Sequence, residues 1–418
     1  MRKEFKMKGY TLHLIPTDKF KTTTISLRLQ NSLKRETTTL RTLLTFVMIG
    51  ATEKLPSTKL LASELDYNYG ARLSTNVNTK GQSQVLNVYT SFINDKYLPN
   101  EGLLEKQLSI INDIFYNPYF INNMFDEKIV ELKKKELLER IQIAKDDKFS
   151  YSLDKLFEYM GKDSVLGINS TGYEEDIEGI TCKMLTDYFK KCILEDEKHM
   201  YIVGNIDESI VDIIDRYIQF PAHNHHYESS YIFESDRKDI LEIIEKQDIT
   251  QSKLNIGYKI DCDFVHKNHY AMTVFNAIFG GNSQSRLFKV VREQHSLCYY
   301  VSSSYDAFNG IMIINAGIEN KDYDLTLDLI AKELDDMKNG NISDDEIKLA
   351  KTMLVNSLRK TNDEANSMIT LSYNRDIVNK KESNEEYIEK LKNVSKDDLI
   401  EVAQGIQLDT IYFLTGRE

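Results

Sequence analysis

The sequence predicts a duplicated fold in which helices and strands follow the same order in two successive halves. In the first half, the run LDYNYGARL at 65–73 lies between a helical pattern and two strand patterns. In the second half, FGGNSQSRL at 279–287 also follows a helical pattern and precedes a two-strand meander. Between the halves, residues 219–235 are rich in polar and turn-forming residues. This repetition is typical of tandem homologous domains, which we expect at 1–218 and 236–418, with 219–235 as the linker.

In the first half, strands come first and helices follow. Runs rich in Thr, Ile and Leu predict two strands. Leucines at helical spacing then predict a helix, and Ser57 after Pro56 opens a second helix that stops at Gly70. Alternating polar and apolar residues on both sides of Gly81 predict a pair of strands. The predicted strands are at 11–15, 22–29, 72–80, 83–92 and within 199–207, and the predicted helices at 36–49, 57–69, 101–116, 125–143, 148–160 and 181–192.

The second half repeats this order. Asn309-Gly310 between two apolar runs is a strong hairpin signal. Ser343 with Glu346 forms a capping box that opens a long helix. The predicted strands are at 248–260, within 301–318 and at 410–414, and the predicted helices are at 269–279, 325–337, from 343 through 359, and from 395.

Composition limits the classes of partner. The 418 residues are 41% hydrophobic and 28% charged, which is typical of a folded globular protein with a substantial core. A formal net charge of −12 argues against nucleic acid or an anionic membrane surface as the main partner. The first twenty residues contain no apolar run of signal-peptide length, and the four cysteines form no C-x-x-C pair. We therefore expect a cytoplasmic protein with reduced thiols and no membrane partner.

Two groups of histidines invite a metal-binding interpretation. His223, His225 and His226 lie in the polar segment 219–235, without a helix or hairpin to orient them. We interpret them as part of a solvated linker. His266 and His269 are three residues apart with aspartates nearby, and we interpret them as surface residues at a helix start. We expect no metal site at either place.

The stretch GGNSQSRLFKVVREQHSLCYY at 280–300 has the strongest functional pattern. A glycine pair is followed by a short apolar-periodic helix and then by a β-prone run at 297–302. Arg292 is expected near the helix end and Tyr299 at the strand start, so both could reach one ligand. Arginine offers a fixed fork of donors, and tyrosine offers a phenolic donor on a rigid ring. By residue type alone, an exposed arginine and a packed tyrosine at an ordinary helix–strand corner remain an alternative.

This stretch resembles the C-terminal signature of the M16 (insulinase/pitrilysin) metallopeptidases. A Gly-rich turn, an S-R-L-F-like run, an R-E dipeptide and an L-x-Y strand follow in the same order. The resemblance implies an α+β fold of two tandem homologous M16-type domains, each a mainly antiparallel sheet packed against helices. It also implies that Arg292 and Tyr299 help to hold a substrate peptide next to zinc.

The zinc-binding motif of the family is absent. Active members carry H-x-x-E-H on an early helix, where two histidines bind zinc and the glutamate activates water. The matching frame here is TLLTFVMIGAT at 42–52, so the motif positions are occupied by Thr42, Thr45 and Phe46. Threonine is a poor zinc ligand, and phenylalanine cannot bind the ion. The expected position of the third ligand holds Lys134, and no histidine occurs between His13 and His199.

The resemblance therefore implies a non-catalytic subunit of the M16B subfamily. Some M16B peptidases pair a zinc-bearing subunit with a zinc-less one, which in bacterial pairs supplies the Arg and Tyr. We expect no catalytic residue and no cofactor in this chain, with zinc in an H-x-x-E-H partner, Arg292 and Tyr299 as substrate-binding residues, and a peptide as substrate. An alternative is an inactive peptide-binding or scaffold protein that acts as a homodimer or in another assembly.

The absent motif leads to a direct expectation about metal content. The purified chain should contain no stoichiometric zinc, because Thr42, Thr45 and Phe46 provide none of the required ligands. Inductively coupled plasma mass spectrometry on protein purified without chelator measures this. One tightly bound zinc ion per chain would contradict the interpretation of an erased site.

Overall fold

The computed structural model describes residues 2–223 and 225–416 as two compact units. The first unit comprises the described residues of Met1–Ile143, Asn169–Glu228 and Thr361–Asn374. The second comprises those of Ala144–Ile168, Ser229–Lys360 and Arg375–Glu418. The predicted boundaries, 1–218 and 236–418, follow the order of elements along the chain. The compact units additionally take one segment each from the opposite half of the chain.

The strands are mostly short and include four that the sequence patterns did not predict. Thirteen strands occur in the described residues. In chain order they are β1 (Lys3–Met7), β2 (Tyr10–Pro16), β3 (Thr22–Ser32), β4 (Arg72–Lys80), β5 (Ser83–Ile93), β6 (Phe120–Ile121), β7 (Met124–Phe125), β8 (Glu197–Gly204), β9 (Leu241–Gln247), β10 (Ser252–Lys259), β11 (Cys298–Asp306), β12 (Ile311–Ile318) and β13 (Gln407–Gly416). The four strands that were not predicted are β1, β6, β7 and β9.

The helices include one of π type, Phe288–Gln294, and short 3₁₀ turns at Val165–Gly167 and Asn320–Asp322. In chain order the α-helices are α1 (Arg35–Met48), α2 (Thr58–Tyr67), α3 (Leu103–Tyr116), α4 (Glu127–Asp146), α5 (Lys148–Met160), α6 (Glu174–Ile177), α7 (Cys182–Glu195), α8 (Ile210–Tyr217), α9 (His269–Phe279), α10 (Tyr323–Lys338), α11 (Asp344–Thr361), α12 (Ala365–Asp376), α13 (Asn384–Asn393) and α14 (Lys396–Gln404).

Each unit is built around one mainly antiparallel sheet, and the two sheets have the same topology. The first sheet has the strand order β1-β2-β8-β3-β5-β4, and the second has β11-β12-β10-β13-β9. Without the additional strand β1, the first sheet reads β2-β8-β3-β5-β4 and matches β9-β13-β10-β12-β11 of the second. In both, the strand that comes first in the chain pairs in parallel with the strand that comes last, β2 with β8 and β9 with β13. Every other pairing in the two sheets is antiparallel. The α+β class and the internal repeat are thus confirmed.

Most predicted elements are present, and the differences have local causes. Strands β1 and β9 were missed because charged residues interrupt their apolar pattern, KEFKM and LEIIEKQ. Both lie at sheet edges, where one side of the strand is not covered by a neighbouring strand. The hairpin at Asn309-Gly310 is confirmed, with Gly310 at a φ of 62°. Ser57 and Ser395 cap α2 and α14 as the patterns indicated.

The segment 219–235 lacks regular structure, and its described residues alternate between exposed polar positions and a few buried anchors. In the first unit, Phe220 is buried and its amide donates to the carbonyl of Lys8 at 2.9 Å. His226 Nδ1 lies 2.9 Å from a carboxylate oxygen of Glu197. In the second unit, Phe233 is buried and its amide donates to the carbonyl of Asn309 at 2.9 Å. His225, His226, Glu228 and Glu234 remain exposed, so the segment is anchored at its aromatic residues and solvated between them.

His269 is also not a surface residue. It is buried in the second unit, with Nδ1 3.1 Å from the hydroxyl of Tyr305 and Nε2 3.2 Å from that of Tyr387. Burial lowers the pKa of His269 to about 3, so the ring is neutral. Both ring nitrogens therefore lie within hydrogen-bonding distance of tyrosine hydroxyls at the start of α9.

No helix in the described residues is long and apolar enough to cross a membrane.

A fully buried ion pair fixes α1 in the first unit. Arg41 Nη2 lies 2.6 Å from a carboxylate oxygen of Asp196 and also donates to the carbonyl of Leu29 on β3 at 2.6 Å. Burial alone would lower the pKa of Arg41, but the carboxylate of Asp196 outweighs it and the pKa is raised. Asn31 donates to the other oxygen of Asp196 at 2.6 Å. The pair thus joins α1, β3 and the start of β8.

We expect Asp196→Ala to lower the free energy of unfolding by about 3–5 kcal/mol, because the Arg41 cation remains buried without its partner. Urea unfolding followed by circular dichroism measures the loss. Asp187→Ala is the control, since Asp187 forms an exposed pair with Lys183 and should change stability by less than about 1 kcal/mol. Equal effects of the two substitutions would contradict the anchoring role of Asp196.

Candidate functional site

Gly280, the first glycine after α9, allows the end of this helix to pack directly against the edge strand β11. The amide of Ser303 on β11 donates to the carbonyl of Gly280 at 3.0 Å. The hydroxyl of Ser303 donates to Asn276 Oδ1 at 2.7 Å. A Cβ at Gly280 would lie 2.6 Å from Ser303 Oγ and 2.7 Å from its amide nitrogen, so only glycine permits this approach.

The segment that leads into the π-helix is held by Arg286, which pairs with a glutamate on α11. Arg286 Nε lies 2.7 Å from one carboxylate oxygen of Glu346 on α11, and Nη2 lies 3.0 Å from the other. Burial raises the pKa of Glu346, but its bonds to Arg286 and Ser343 outweigh this, and the pKa falls to about 2. Leu287 and Val291 are buried in the core of the second unit. The start of the π-helix is therefore fixed in position.

Tyr299 projects outward because it is the extra residue of a β-bulge. In the pairing of β11 with β12, Cys298 lies opposite Ile318 and Tyr300 lies opposite Gly317. Tyr299 therefore has no partner residue, and its side chain is 70% exposed. Bulges on edge strands commonly redirect a side chain in this way.

The packed tyrosine of this strand is Tyr300. A Cβ at Gly317 would collide with its ring, which therefore lies directly over the glycine. Its ring centroid is also 5.7 Å from that of Phe149. The alternative of a packed Tyr299 is thus wrong. The sequence alone did not separate the two neighbouring tyrosines, because a bulge interrupts the alternation of faces.

Arg292 lies in the last turn of the π-helix, as the pattern predicted, and is exposed. Its guanidinium carbon lies 4.7 Å from the ring centroid of Phe288, which supports the side chain from one side. Within residues 2–223 and 225–416, no carboxylate forms an ion pair with Arg292 and no acceptor takes a hydrogen bond from it. Its donor fork is available to a ligand.

The structure brings Arg292 next to the start of β11. The amide of Leu297 donates to the carbonyl of Val291 at 3.0 Å, which folds the strand start back onto the helix end. Burial raises the pKa of the Cys298 thiol to about 11, and the nearby charge of Arg292 acts in the opposite direction. Arg292 therefore lies within electrostatic range of the residue that precedes Tyr299.

A cleft of about 650 Å³ opens beside Tyr299 at the ends of four strands of the second sheet. Its lining includes the polar residues Thr250, Gln251, Ser252 and Asn320. Glu319 is the charged residue on its wall. Sequence patterns did not predict this cleft, since its lining comes from four separate segments. They are Ile249–Ser252, Tyr299, Ile318–Asn320 and Gly416.

The positions of the absent zinc motif all lie on α1 and serve packing. Thr42 is 2% exposed, and its hydroxyl donates to the carbonyls of Thr38 and Ser170, each at 3.1 Å. The hydroxyl of Thr45 donates to the carbonyl of Thr42 at 2.7 Å. Phe46 packs against the core of the first unit, and the guanidinium of Arg140 lies 5.7 Å from its ring centroid. These residues do not fit a zinc ion.

Lys134, at the expected position of the third zinc ligand, also makes contacts that exclude a role in metal binding. Its ammonium lies 2.7 Å from Glu131 and is directed to the carbonyl of Glu178 at 3.5 Å. The cation that faces Phe46 on α4 is Arg140, which sequence spacing did not identify. In the part of the chain that the structure describes, no group of three or more His, Cys, Asp or Glu side chains is arranged to hold a metal ion.

Together, the fold and the site define a class of protein: a duplicated α+β chain of the metallopeptidase type in which the metal-binding positions carry packing residues. A model of the family described as "Peptidase M16 inactive domain" matches residues 179–354. The chain is 32% identical to the probable inactive metalloprotease YmfF of Bacillus subtilis (strain 168), over 98% of this chain and 96% of that protein. The chain therefore belongs to the M16 peptidase family, and it is a non-catalytic member.

Solved structures agree with this assignment. A conserved protein from Enterococcus faecalis V583 superimposes with a TM-score of 0.92 at 30% identity, over 100% of this chain and 99% of that chain. A peptidase M16 inactive domain from Pseudomonas fluorescens superimposes with a TM-score of 0.78 at 15% identity, over 100% of this chain and 98% of that chain. The second likeness concerns the fold alone.

We expect Gly280→Ala to lower the free energy of unfolding by about 1–3 kcal/mol, because the added methyl group pushes against Ser303 on β11. Urea unfolding measures the loss. Gly405→Ala is the matched control. The nearest atom to its added Cβ, the Val402 carbonyl oxygen, is 3.5 Å away, and the change should stay within about 0.5 kcal/mol. A neutral Gly280→Ala would contradict the close approach of α9 and β11.

Proposed function

We propose that this chain is the non-catalytic, substrate-binding subunit of a heterodimeric M16B zinc peptidase that cleaves peptides in a closed chamber. An H-x-x-E-H subunit supplies zinc and the general base. The observation that carries the proposal is the pair of exposed side chains, Arg292 and Tyr299, on neighbouring elements, where Arg292 has no ion-pair partner among residues 2–223 and 225–416.

The chemistry of the two side chains suits an extended peptide. Arg292 presents donors in a planar fork that can bind a peptide carbonyl, and the hydroxyl of Tyr299 can donate to the same or a neighbouring carbonyl. When the partner polarises the scissile bond, these donors stabilise the negative charge that develops on the oxygen. Both act as binding groups, and neither transfers a proton in this proposal.

The surroundings of Tyr299 support the same function. The adjacent cleft of about 650 Å³ has room for at least one peptide side chain. Its polar lining residues support binding of side chains other than purely aliphatic ones. The rigid bulge fixes the tyrosine main chain on the sheet, so little conformational entropy is lost when a peptide binds.

The proposal is tested by co-expression with the H-x-x-E-H protein from the same genome and an assay with a quenched, unstructured peptide. We expect activity only in the pair. Arg292→Ala should lower kcat/KM at least about 100-fold, and Tyr299→Phe about 10-fold, without preventing assembly, because each removes donors that act on the bound peptide.

Matched surface variants serve as controls. Arg359→Ala and Tyr67→Phe alter exposed residues outside the candidate site and should leave activity unchanged. A pair that forms and cleaves equally well with Arg292→Ala would contradict the substrate-binding role. Failure to form any pair, with a homodimer in solution, would instead favour an inactive peptide-binding or scaffold protein.

A further inference from the structure

The sheet of the first unit has one apolar face and one polar face. Leu27 and Leu29 on β3 contribute to the hydrophobic core on one side. The residue between them, Arg28, lies on the opposite face. In register, Arg28 is directly between Asn87 on β5 and His199 on β8. Asn76 on β4 continues this row toward the edge of the sheet. A polar row therefore crosses four strands, with a cation near its centre.

Arg28 is buried without a counter-charge. It is 6% exposed, its Nε donates to Ser26 Oγ at 3.1 Å, and its Nη2 donates to Thr370 Oγ1 at 3.1 Å. The guanidinium carbon lies 4.4 Å from the ring centroid of Tyr373 on α12. Among residues 2–223 and 225–416, no carboxylate forms an ion pair with it.

Three other arginines show the usual solution in this chain. Arg41 lies 2.6 Å from Asp196, Arg237 lies 2.6 Å from Asp409, and Arg286 lies 2.7 Å from Glu346. A buried cation without such a partner is strongly unfavourable. Burial accordingly lowers the pKa of Arg28, although Tyr373 and Tyr201 act in the opposite direction.

An acidic group near this polar face, Glu197, is already engaged by two histidines. Glu197 on β8 lies 3.3 Å from His199 Nε2 and 2.9 Å from His226 Nδ1. His199 Nδ1 in turn lies 3.1 Å from His13 Nε2. Burial lowers the pKa of His13 to about 2, so this ring adds no charge near neutral pH. Arg28 thus dominates the charge at the centre of the polar row.

A second donor lies beside the guanidinium. The side-chain oxygen of Asn87, Oδ1, accepts from the hydroxyl of Ser26 at 2.7 Å, which leaves the side-chain nitrogen, Nδ2, for another partner. In the described residues, Asn87 Nδ2 donates to no side-chain or backbone acceptor. Asn76 and Tyr89 are partly exposed and extend the polar face toward β4. Adjacent nitrogen donors of this kind suit the two oxygens of a carboxylate.

We propose that Arg28 and Asn87 form a carboxylate-binding site for a peptide. The carboxylate comes from an acidic side chain or from a free C-terminus of the peptide. Arg28 supplies the charge and the planar donor fork, Asn87 supplies a neutral donor, and Tyr373 on α12 supports the guanidinium by stacking. The site belongs entirely to the first unit and does not depend on a zinc-bearing partner.

The test uses the full-length protein and three short peptides in isothermal titration calorimetry. One is an acetylated and amidated tetrapeptide with a single Glu, the second has Gln in its place, and the third is an alanine tetrapeptide with a free C-terminus. We expect either the Glu peptide or the free C-terminus to bind at least about tenfold more tightly than the Gln peptide. The tighter of the two identifies the source of the carboxylate.

Substitutions assign the preference to Arg28. Arg28→Met should abolish the preference for a carboxylate, and it should leave the unfolding midpoint without ligand unchanged or higher, since an uncompensated buried cation is removed. Arg28→Gln is a second neutral variant whose amide can still bond Ser26 and Thr370, and it should also abolish the preference. Arg359→Ala, which changes an exposed arginine, should retain it.

The opposite results would overturn the proposal. These are equal binding of all three peptides by the wild type, retention of the preference in Arg28→Gln, or a preference that is lost in Arg292→Ala instead. A folded Arg28→Met with a much lower unfolding midpoint would also overturn it, because that outcome indicates a purely structural arginine.

Discussion

The first unit depends on the buried pair of Arg41 and Asp196. One carboxylate at the start of β8 receives the guanidinium from α1 and the amide of Asn31 from β3. Lys198 also donates to the Asp196 carbonyl at 2.6 Å. Helix α1 is therefore held in place by the ion pair and hydrogen bonds of Arg41, the residue that precedes Thr42. This explains how α1 keeps its place in a chain whose zinc-motif positions carry Thr and Phe, because the helix needs no metal to fix it.

The two sheets share a topology but have different edges, and this difference distinguishes the surroundings of α1 from those of Arg292. Strand β4 pairs with β5 in continuous register from Arg72 to Lys80. Its counterpart in the repeat, β11, contains the bulge that turns Tyr299 outward. The same architecture thus has a regular edge next to the degenerate α1 and an irregular edge next to Arg292. The two edges therefore present different side chains to a ligand although they belong to sheets of the same topology.

Arg28 is a buried cation on the polar face of the first sheet, opposite the hydrophobic core. Alternation along β3 directs Leu27 and Leu29 into the core, so the residue between them must lie on the other face. Helix α12, which comes from much later in the chain, then covers Arg28 with Tyr373. The charge is buried by an element that sequence order does not bring near it. The three arginines with carboxylate partners make the absence of one at Arg28 informative.

The sequence by itself determined the duplicated α+β class, the family, most helices and strands, and the loss of the zinc motif. These follow from periodicity, capping residues and residue identity, which are local properties. It also predicted correctly that Arg292 ends a helix and that Tyr299 begins a strand. Only the tertiary structure decided which tyrosine is exposed, because a bulge depends on pairing with β12. Likewise, the cleft beside Tyr299 and the buried cation at Arg28 arise from segments far apart in the chain, whose meeting depends on packing that no local pattern records.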